Sequence, residues 1–337
     1  MKILVIGGTV FLGRHLVEAA LARGHEVTLF NRGQHNPELF PDVEKLRGNR
    51  DGELGALDGR TWEAVIDTCG YLPRVVRQSA RKLAGAAGHY TFISSISVYA
   101  RFDKPGTTED SPLGHIDAAE AEAADKITNE TYGPLKVRCE EEVGHAFPGR
   151  ALLVRPGLIV GPHDPSDRFT YWPLRVARGG EMLVPGQADQ RMEIIDVRDL
   201  SEWTIRLIEA GKSGPYNATG PDYPLTMANV LDAAREVAGS DALPTWVDGA
   251  WLKAQGVEPG ELNTWYIPED EPEWRYAWDI DCSWAIRDGL MYRPLRATIE
   301  DTLAWDATRP PDAPRRTNLD PAREAELLAA WKERPVT

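Results

Sequence analysis

Apolar and polar positions follow two rhythms along the first half of the chain. Lys2–Ile6 is a continuous apolar run of strand length. After it, Leu12, Leu16, Ala19, Ala20 and Arg23 recur at helical spacing over Leu12–Arg23. Gly24 follows at the position where a helix commonly stops. Glu26–Phe30, Ala64–Asp67, Tyr90–Ser94 and Leu152–Arg155 read as further short strands, with helical patterns over 73–86 and 131–146. Apolar strands alternating with amphipathic helices predict an α/β protein: a doubly wound parallel sheet of the Rossmann kind, covered on both faces. The second half changes character. Of the 11 tryptophans only Trp62 precedes Trp172, and Pro and acidic residues crowd 258–274. A smaller lobe with an aromatic core is expected there. A last helix is predicted over 320–334, with Asp320 as N-cap, Pro321 as first residue, and Leu327, Leu328 and Trp331 on one face. It docks either on its own chain or on a partner. The expected organisation is a first domain over 1–160, with 197–225 returning to it, and a second lobe built from 161–196 and 226–337.

Composition narrows the function classes. A length of 337 residues suits about two lobes. The net charge of −14 disfavours nucleic acid and anionic membranes as partners. No apolar run is long enough to span a bilayer, and the opening run is too short for a signal peptide. Three widely spaced cysteines, Cys69, Cys139 and Cys282, fit a cytoplasmic protein without disulfides, and the histidines show no metal-binding spacing.

Candidate chemistry lies at the strand ends. Gly7-Gly8-Thr9-Val10-Phe11-Leu12-Gly13 joins the first strand to the first helix. A pyrophosphate needs such a tight, glycine-lined turn at a helix N-terminus, where free N–H groups favour anions. The second strand ends Phe30-Asn31-Arg32. An acidic residue there would suit a ribose 2′-hydroxyl, and arginine suits a 2′-phosphate, so NADP is expected over NAD. Ser94 and Ser95 close another strand. Tyr132 and Lys136, at i and i+4, share one face of a predicted helix.

In this order, the glycine loop, the strand-end serines and the YxxxK pair resemble the extended short-chain dehydrogenase/reductase superfamily, within it the NAD-dependent epimerase/dehydratase group. The resemblance covers roughly residues 1–305. Arg155–Pro162, Ile194–Asp199 and Thr298–Trp305 support it. It implies Ser95, Tyr132 and Lys136 as catalytic residues, with Ser94 and Ser97 as rivals of Ser95. Tyr132 would move the proton while a nicotinamide carries hydride. It also implies cofactor contacts from Gly7, Gly8, Thr9, Val10, Phe11, Leu12, Gly13, Asn31, Arg32, Asn49, Cys69, Gly70, Ser94, Tyr132, Lys136 and Pro156. The substrate would be a small molecule with a hydroxyl or carbonyl carbon, met by Arg168, Tyr171, Trp172 and Arg191.

Three departures shape the expected reaction. Val10 replaces the middle glycine of the family's loop, a variant of atypical members that include chloroplast stem-loop RNA-binding proteins. A non-catalytic RNA-binding scaffold is therefore an alternative reading, opposed by the charge. Ile96-Ser97 stands where 4,6-dehydratases carry Asp-Glu, which disfavours dehydration. Met192 stands where nucleotide-sugar enzymes often place a diphosphate-gripping arginine. Arg191 is one residue early, with Arg168, Arg175 and Arg178 as substitutes. Simple reduction or oxidation is slightly favoured over nucleotide-sugar epimerisation with tightly held NAD. Family members are often dimers through the YxxxK helix, so a homodimer is an expectation. Glu140-Glu141-Glu142 on that helix would make a solvated edge or a repulsive rim, and the oligomeric state stays open.

Overall fold

The computed structural model describes residues 1–257, 261–262 and 271–334. Most of the Pro- and acid-rich stretch read at 258–274 lies outside them. The strands are β1 (Lys2–Ile6), β2 (Glu26–Asn31), β3 (Glu44–Arg47), β4 (Trp62–Asp67), β5 (Ala87–Ile93), β6 (Ala151–Pro156), β7 (Leu158–Val160), β8 (Glu181–Pro185), β9 (Ile194–Asp196), β10 (Gly214–Ala218) and β11 (Leu243–Val247). The helices are α1 (Phe11–Ala22), α2 (Pro73–Leu83), α3 (Ala118–Ala123), α4 (Asn129–Ala146), α5 (Tyr171–Ala177), α6 (Val197–Glu209), α7 (Met227–Ala238), α8 (Gly249–Ala254), α9 (Ser283–Arg287), α10 (Leu295–Asp306) and α11 (Pro321–Glu333).

The chain divides into two compact units. The first comprises Met1–Ile159, Val197–Gly220 and Ile280–Met291. Its seven strands pair in parallel throughout, in the order β10-β6-β5-β4-β1-β2-β3. The order reverses beside β1, and ligands of such sheets gather at the carboxyl ends of the strands next to that reversal. Ile3, Leu4 and Val5 are fully buried, because α1 packs with α6 and α2 with α4 over the sheet. Pro73 opens α2, and a reciprocal cap between Thr128 and Thr131 opens α4. β3 escaped the sequence reading because Glu-Lys-Leu-Arg is short and polar, as a sheet edge permits. The segment Ile280–Met291, grouped by sequence with the second lobe, packs in this unit: Trp203 Nε1 donates to the Asp288 carbonyl and the Tyr216 hydroxyl to its carboxylate.

The second unit comprises Val160–Asp196, Pro221–Asp279 and Tyr292–Thr337. In it α5 packs on α7 and α10, β8 pairs with β11, and α11 lies on β8. Asp320 caps α11 as its sequence predicts, accepting from the amides of Ala322 and Arg323. The helix docks on its own chain. Glu324 is buried, bonds Arg175 Nε at 2.7 Å and accepts the Leu183 amide at 3.0 Å. The expected aromatic core is only partly realised. Trp172 is fully buried here, whereas Trp251 packs edge-on against Trp331 and Trp305 carries Arg309 near the surface.

Candidate active site

The glycine loop follows β1 at the sheet's reversal. Gly7 (φ +104°) and Gly8 (φ +90°) both need the left-handed region, and a Cβ on Gly7 would lie 2.5 Å from Thr68 Oγ1. Val10 explains its own departure from the family motif. It is extended (φ −130°, ψ 134°), so glycine is not required there. Phe11 instead takes the positive φ of 36°. Gly13 must stay small, since its Cβ would meet the Gly8 amide nitrogen at 2.9 Å. Thr9 is buried, as is Leu12 at the start of α1.

The next strand end is braced by side chains. Asn31 donates through Nδ2 to the Gly7 carbonyl (2.8 Å) and accepts from the Gly33 amide and the Arg47 guanidinium. Its carboxamide therefore shapes the turn at the end of β2. Arg32 is exposed and has no hydrogen-bond or ion-pair partner among the described residues. The Arg47 guanidinium lies over Gly33, next to it, within 3.1 Å of where a Cβ would be. Sequence reasoning missed Arg47 because it ends the unrecognised edge strand. It also missed Asn36, whose side chain ties the following loop to the Thr9 carbonyl. Asn49 caps a turn by accepting the Asp51 amide, and Pro156 ends β6.

The ends of β4 and β5 meet at Lys136. Its Nζ donates to the carbonyls of Gly70 (2.8 Å) and Ile93 (2.6 Å) and lies 4.1 Å from the Phe92 ring centroid. Burial pulls this ammonium down to a pKa of about 8. Gly70 has no space for a side chain, its Cβ position being 2.4 Å from Phe92. Cys69 donates weakly to the Ile6 carbonyl, and burial raises its thiol. Ser95 is buried and bonded to the Ser97 hydroxyl and amide. Ser94 is 4% exposed, and its Oγ has no hydrogen-bond partner. A buried, unsatisfied hydroxyl of this kind calls for a bound group. Tyr132, half-buried, stands one turn before Lys136 on α4. The loop glycines, Gly70, the two serines and the Tyr132–Lys136 face are thus brought to one end of one sheet.

Gly133 holds this face in place. A Cβ there would lie 2.0 Å from the Ser97 carbonyl oxygen. Gly133→Ala must therefore push α4 away from the Ser95–Val98 turn. The expected loss is about 1–3 kcal/mol of stability, read by urea unfolding.

Below the site runs a charged core. Arg50 Nη1 and Nη2 bond the Asp67 carboxylate at 2.6 and 2.7 Å. The Tyr90 hydroxyl donates to Asp67, and Arg50 also reaches Ser79. Burial alone would raise the Asp67 carboxyl, but the Arg50 guanidinium and the Tyr90 hydrogen bond hold it below its ordinary range. Glu140 corrects the expectation of a solvated acidic run: it is buried in a bidentate pair with Arg155 at 3.0 and 2.7 Å. Glu141 and Glu142 pair with Arg138 and Arg77.

The residues expected to meet substrate lie in the second unit. Tyr171 and Trp172 are 4% and 1% exposed and pack edge-to-face. Arg175 is engaged by Glu324 and two backbone carbonyls, so it cannot substitute as a phosphate grip. Arg191 is exposed and pairs with Asp279 at 3.5 Å. Arg168 is exposed and touches Ser166. No group of metal-binding side chains occurs among the described residues, and no described helix is long and apolar enough to cross a membrane.

This sheet and loop define a Rossmann α/β protein. The chain belongs to the NAD dependent epimerase/dehydratase family, which it matches over residues 3–71 and 60–219. It is similar to a dTDP-4-dehydro-6-deoxy-D-allose reductase of Streptomyces bikiniensis, 32% identical over 276 residues, 70% of this chain and 79% of that protein. It also resembles the chloroplast stem-loop binding protein of 41 kDa b of Arabidopsis thaliana, 24% identical over 71% of this chain and 63% of the relative. Among solved structures, UDP-glucuronic acid 4-epimerase from Bacillus cereus in complex with NAD superposes with a TM-score of 0.64 at 17% identity, covering 90% of this chain and 98% of that one. Human epimerase family protein SDR39U1 with NADPH gives 0.60 at 19%, covering 90% and 99%. The relatives it resembles thus include both a reductase and an epimerase.

Proposed function

We propose that the protein is an NADP(H)-dependent reductase of the extended short-chain dehydrogenase type, acting on the carbonyl of a small molecule. The observation that carries this is the junction of Lys136 with the ends of β4 and β5, beside a buried Ser94 hydroxyl that lacks a partner and one helical turn from Tyr132. The glycine loop would hold the pyrophosphate of the dinucleotide, and the bound nicotinamide supplies hydride. Tyr132 holds the proton delivered to the carbonyl oxygen. The Lys136 ammonium favours its phenolate afterwards, and Ser95 orients the substrate oxygen. The likeness to the Streptomyces reductase favours reduction over epimerisation.

The exposed Arg32, with the Arg47 guanidinium over the following Gly33 and no carboxylate at the end of β2, favours a 2′-phosphate and hence NADPH. A charge-assisted hydrogen bond contributes about 1.5–3 kcal/mol, or roughly ten- to a hundredfold in affinity. Arg32→Ala is therefore expected to weaken NADPH by that factor and leave NADH unchanged in a fluorescence titration. Equal affinities of the unaltered protein for the two would sink the preference. Mass identification of nucleotide released on denaturation tests the reaction class. Stoichiometric NAD would turn the assignment to an epimerase. An empty protein that binds neither nucleotide would leave the RNA-scaffold alternative.

A further inference from the structure

Tyr71 has no role in the proposed reduction, yet it stands at the Lys136 ammonium. Nζ lies 5.5 Å from the Tyr71 ring centroid and 4.1 Å from that of Phe92, with the Gly70 and Ile93 carbonyls accepting two of its three protons. An aromatic face attracts a cation within about 6 Å. Phe92 is fully buried, Lys136 is 2% exposed and Tyr71 is 45% exposed, so Tyr71 is the outer cover of the group and Phe92 its floor. Nor is Tyr71 a loosely attached surface ring. The carbonyl of Gly70 before it is fixed by Lys136 itself. After it, Leu72 packs against Ile116, Ala121 and Leu135, and Pro73 opens α2. A backbone fixed on both sides costs little further entropy to present the ring in one place.

We propose that Tyr71 is a positioning residue of the reaction centre: with Phe92 it closes an aromatic cage that pins the Lys136 ammonium to the two strand ends and keeps water from it. This rests on Lys136 serving the proposed reaction. The other titratable and charged groups facing the ammonium leave burial as the governing influence. On α4 these are the Tyr132 hydroxyl, one turn away, Cys139, a thiol raised by its own burial, and Glu140, which is paired with Arg155. After β3 and β4 they are Arg50 and Asp67, which offset one another, and the protonated Cys69. Tyr71 itself stays a neutral phenol: burial and the neighbouring Tyr132 hydroxyl push it up to about 12. The caged lysine thus presents one remaining donor in a fixed direction, without a shell of competing water.

The test is competitive labelling of Lys136 with acetic anhydride from neutral to alkaline pH, read by peptide mass, in the full chain and in Tyr71→Phe, Tyr71→Leu and Tyr71→Ala. The unaltered protein and Tyr71→Phe are expected to titrate together at about 8. Tyr71→Ala lets water reach the ammonium and is expected to raise the midpoint by about one pH unit or more, toward an ordinary lysine. Tyr71→Leu moves it the same way by less, which keeps the test decisive if the alanine variant does not fold. Midpoints that ignore residue 71 in both would overturn the cage. Reduction of a generic carbonyl probe, 9,10-phenanthrenequinone, by NADPH is followed alongside. An inactive protein with a residue-71-dependent midpoint would count against the reductase reading alone. An active one with an unmoved midpoint would count against the cage alone.

Discussion

Tyr132→Phe is expected to bind NADPH as the unaltered protein does and to lose carbonyl turnover by about a hundred- to ten-thousandfold, the usual contribution of a positioned acid or base. The change deletes one hydroxyl from a half-buried ring and leaves α4 its cap and its close seat on Ser97. A phenol in water has a pKa of about 10 and is a poor partner for proton exchange at neutral pH. The proposed role would draw on its place one turn from the buried Lys136 ammonium, where a charge acts more strongly than in water. Stopped-flow and steady-state rates with NADPH and a reducible carbonyl separate the two effects: kcat falls while the cofactor dissociation constant stays. Retention of full kcat would remove Tyr132 from the reaction.

Asp67→Ala is expected to lower stability by about 3–5 kcal/mol, because it leaves the Arg50 guanidinium buried without a counter-charge. At about 2–4 °C per kcal/mol, the midpoint of thermal unfolding should drop by roughly 10 °C. Replacing both partners, Arg50→Met with Asp67→Leu, should recover most of that loss, since the penalty comes from the orphaned charge more than from the absent pair. The acid limb carries the same signature. The Asp67 carboxyl is held below its unfolded value, so its contribution is complete above the range of an ordinary aspartate, about 3.9. It disappears as the pH falls through the depressed value. The double variant should therefore lose less stability than the unaltered protein on acidification. A single variant that unfolds at the unaltered temperature would show that the pair has no part in holding the strand ends together.

Most of the first unit's architecture was legible in its hydrophobic rhythm. A strand buried on both faces is largely apolar, and β1 and β6 are; β2, β4 and β5 carry polar residues such as Thr28, Asp67 and Thr91 among their apolar ones, yet each keeps a readable apolar run. The edge strand β3 needs only Leu46 buried, so its pattern was too faint to read. The glycine loop and the Tyr132–Lys136 spacing were legible because chemistry fixes residue type and interval together. The partnerships were not. Nothing local in the sequence says that Asn31 braces Gly7, that Arg50 reaches Asp67, that Glu140 turns inward to Arg155, or that Tyr71 closes over Lys136. Each is a contact between segments that only the folded sheet brings together. The second unit was harder for the same reason. Its aromatic residues advertise burial, yet Trp251, Trp305 and Trp331 lie part-exposed against rings or guanidinium groups.

The helix α11 lies well beyond residue 219, where the family match ends, yet Glu324 is the counter-charge of Arg175, 149 residues earlier. Arg309 and Arg316 in the stretch leading to α11 likewise hold Asp167, which adopts a positive φ. Inheritance should preserve such couplings as pairs. A lineage that loses the extension is left with a buried guanidinium and a loop held in an unfavourable conformation, and relief requires substitutions at 175 and 167 in the same descent. Among descendants of this chain, the identity of residue 175 should therefore follow the presence of the terminal helix and not the chemistry of the substrate.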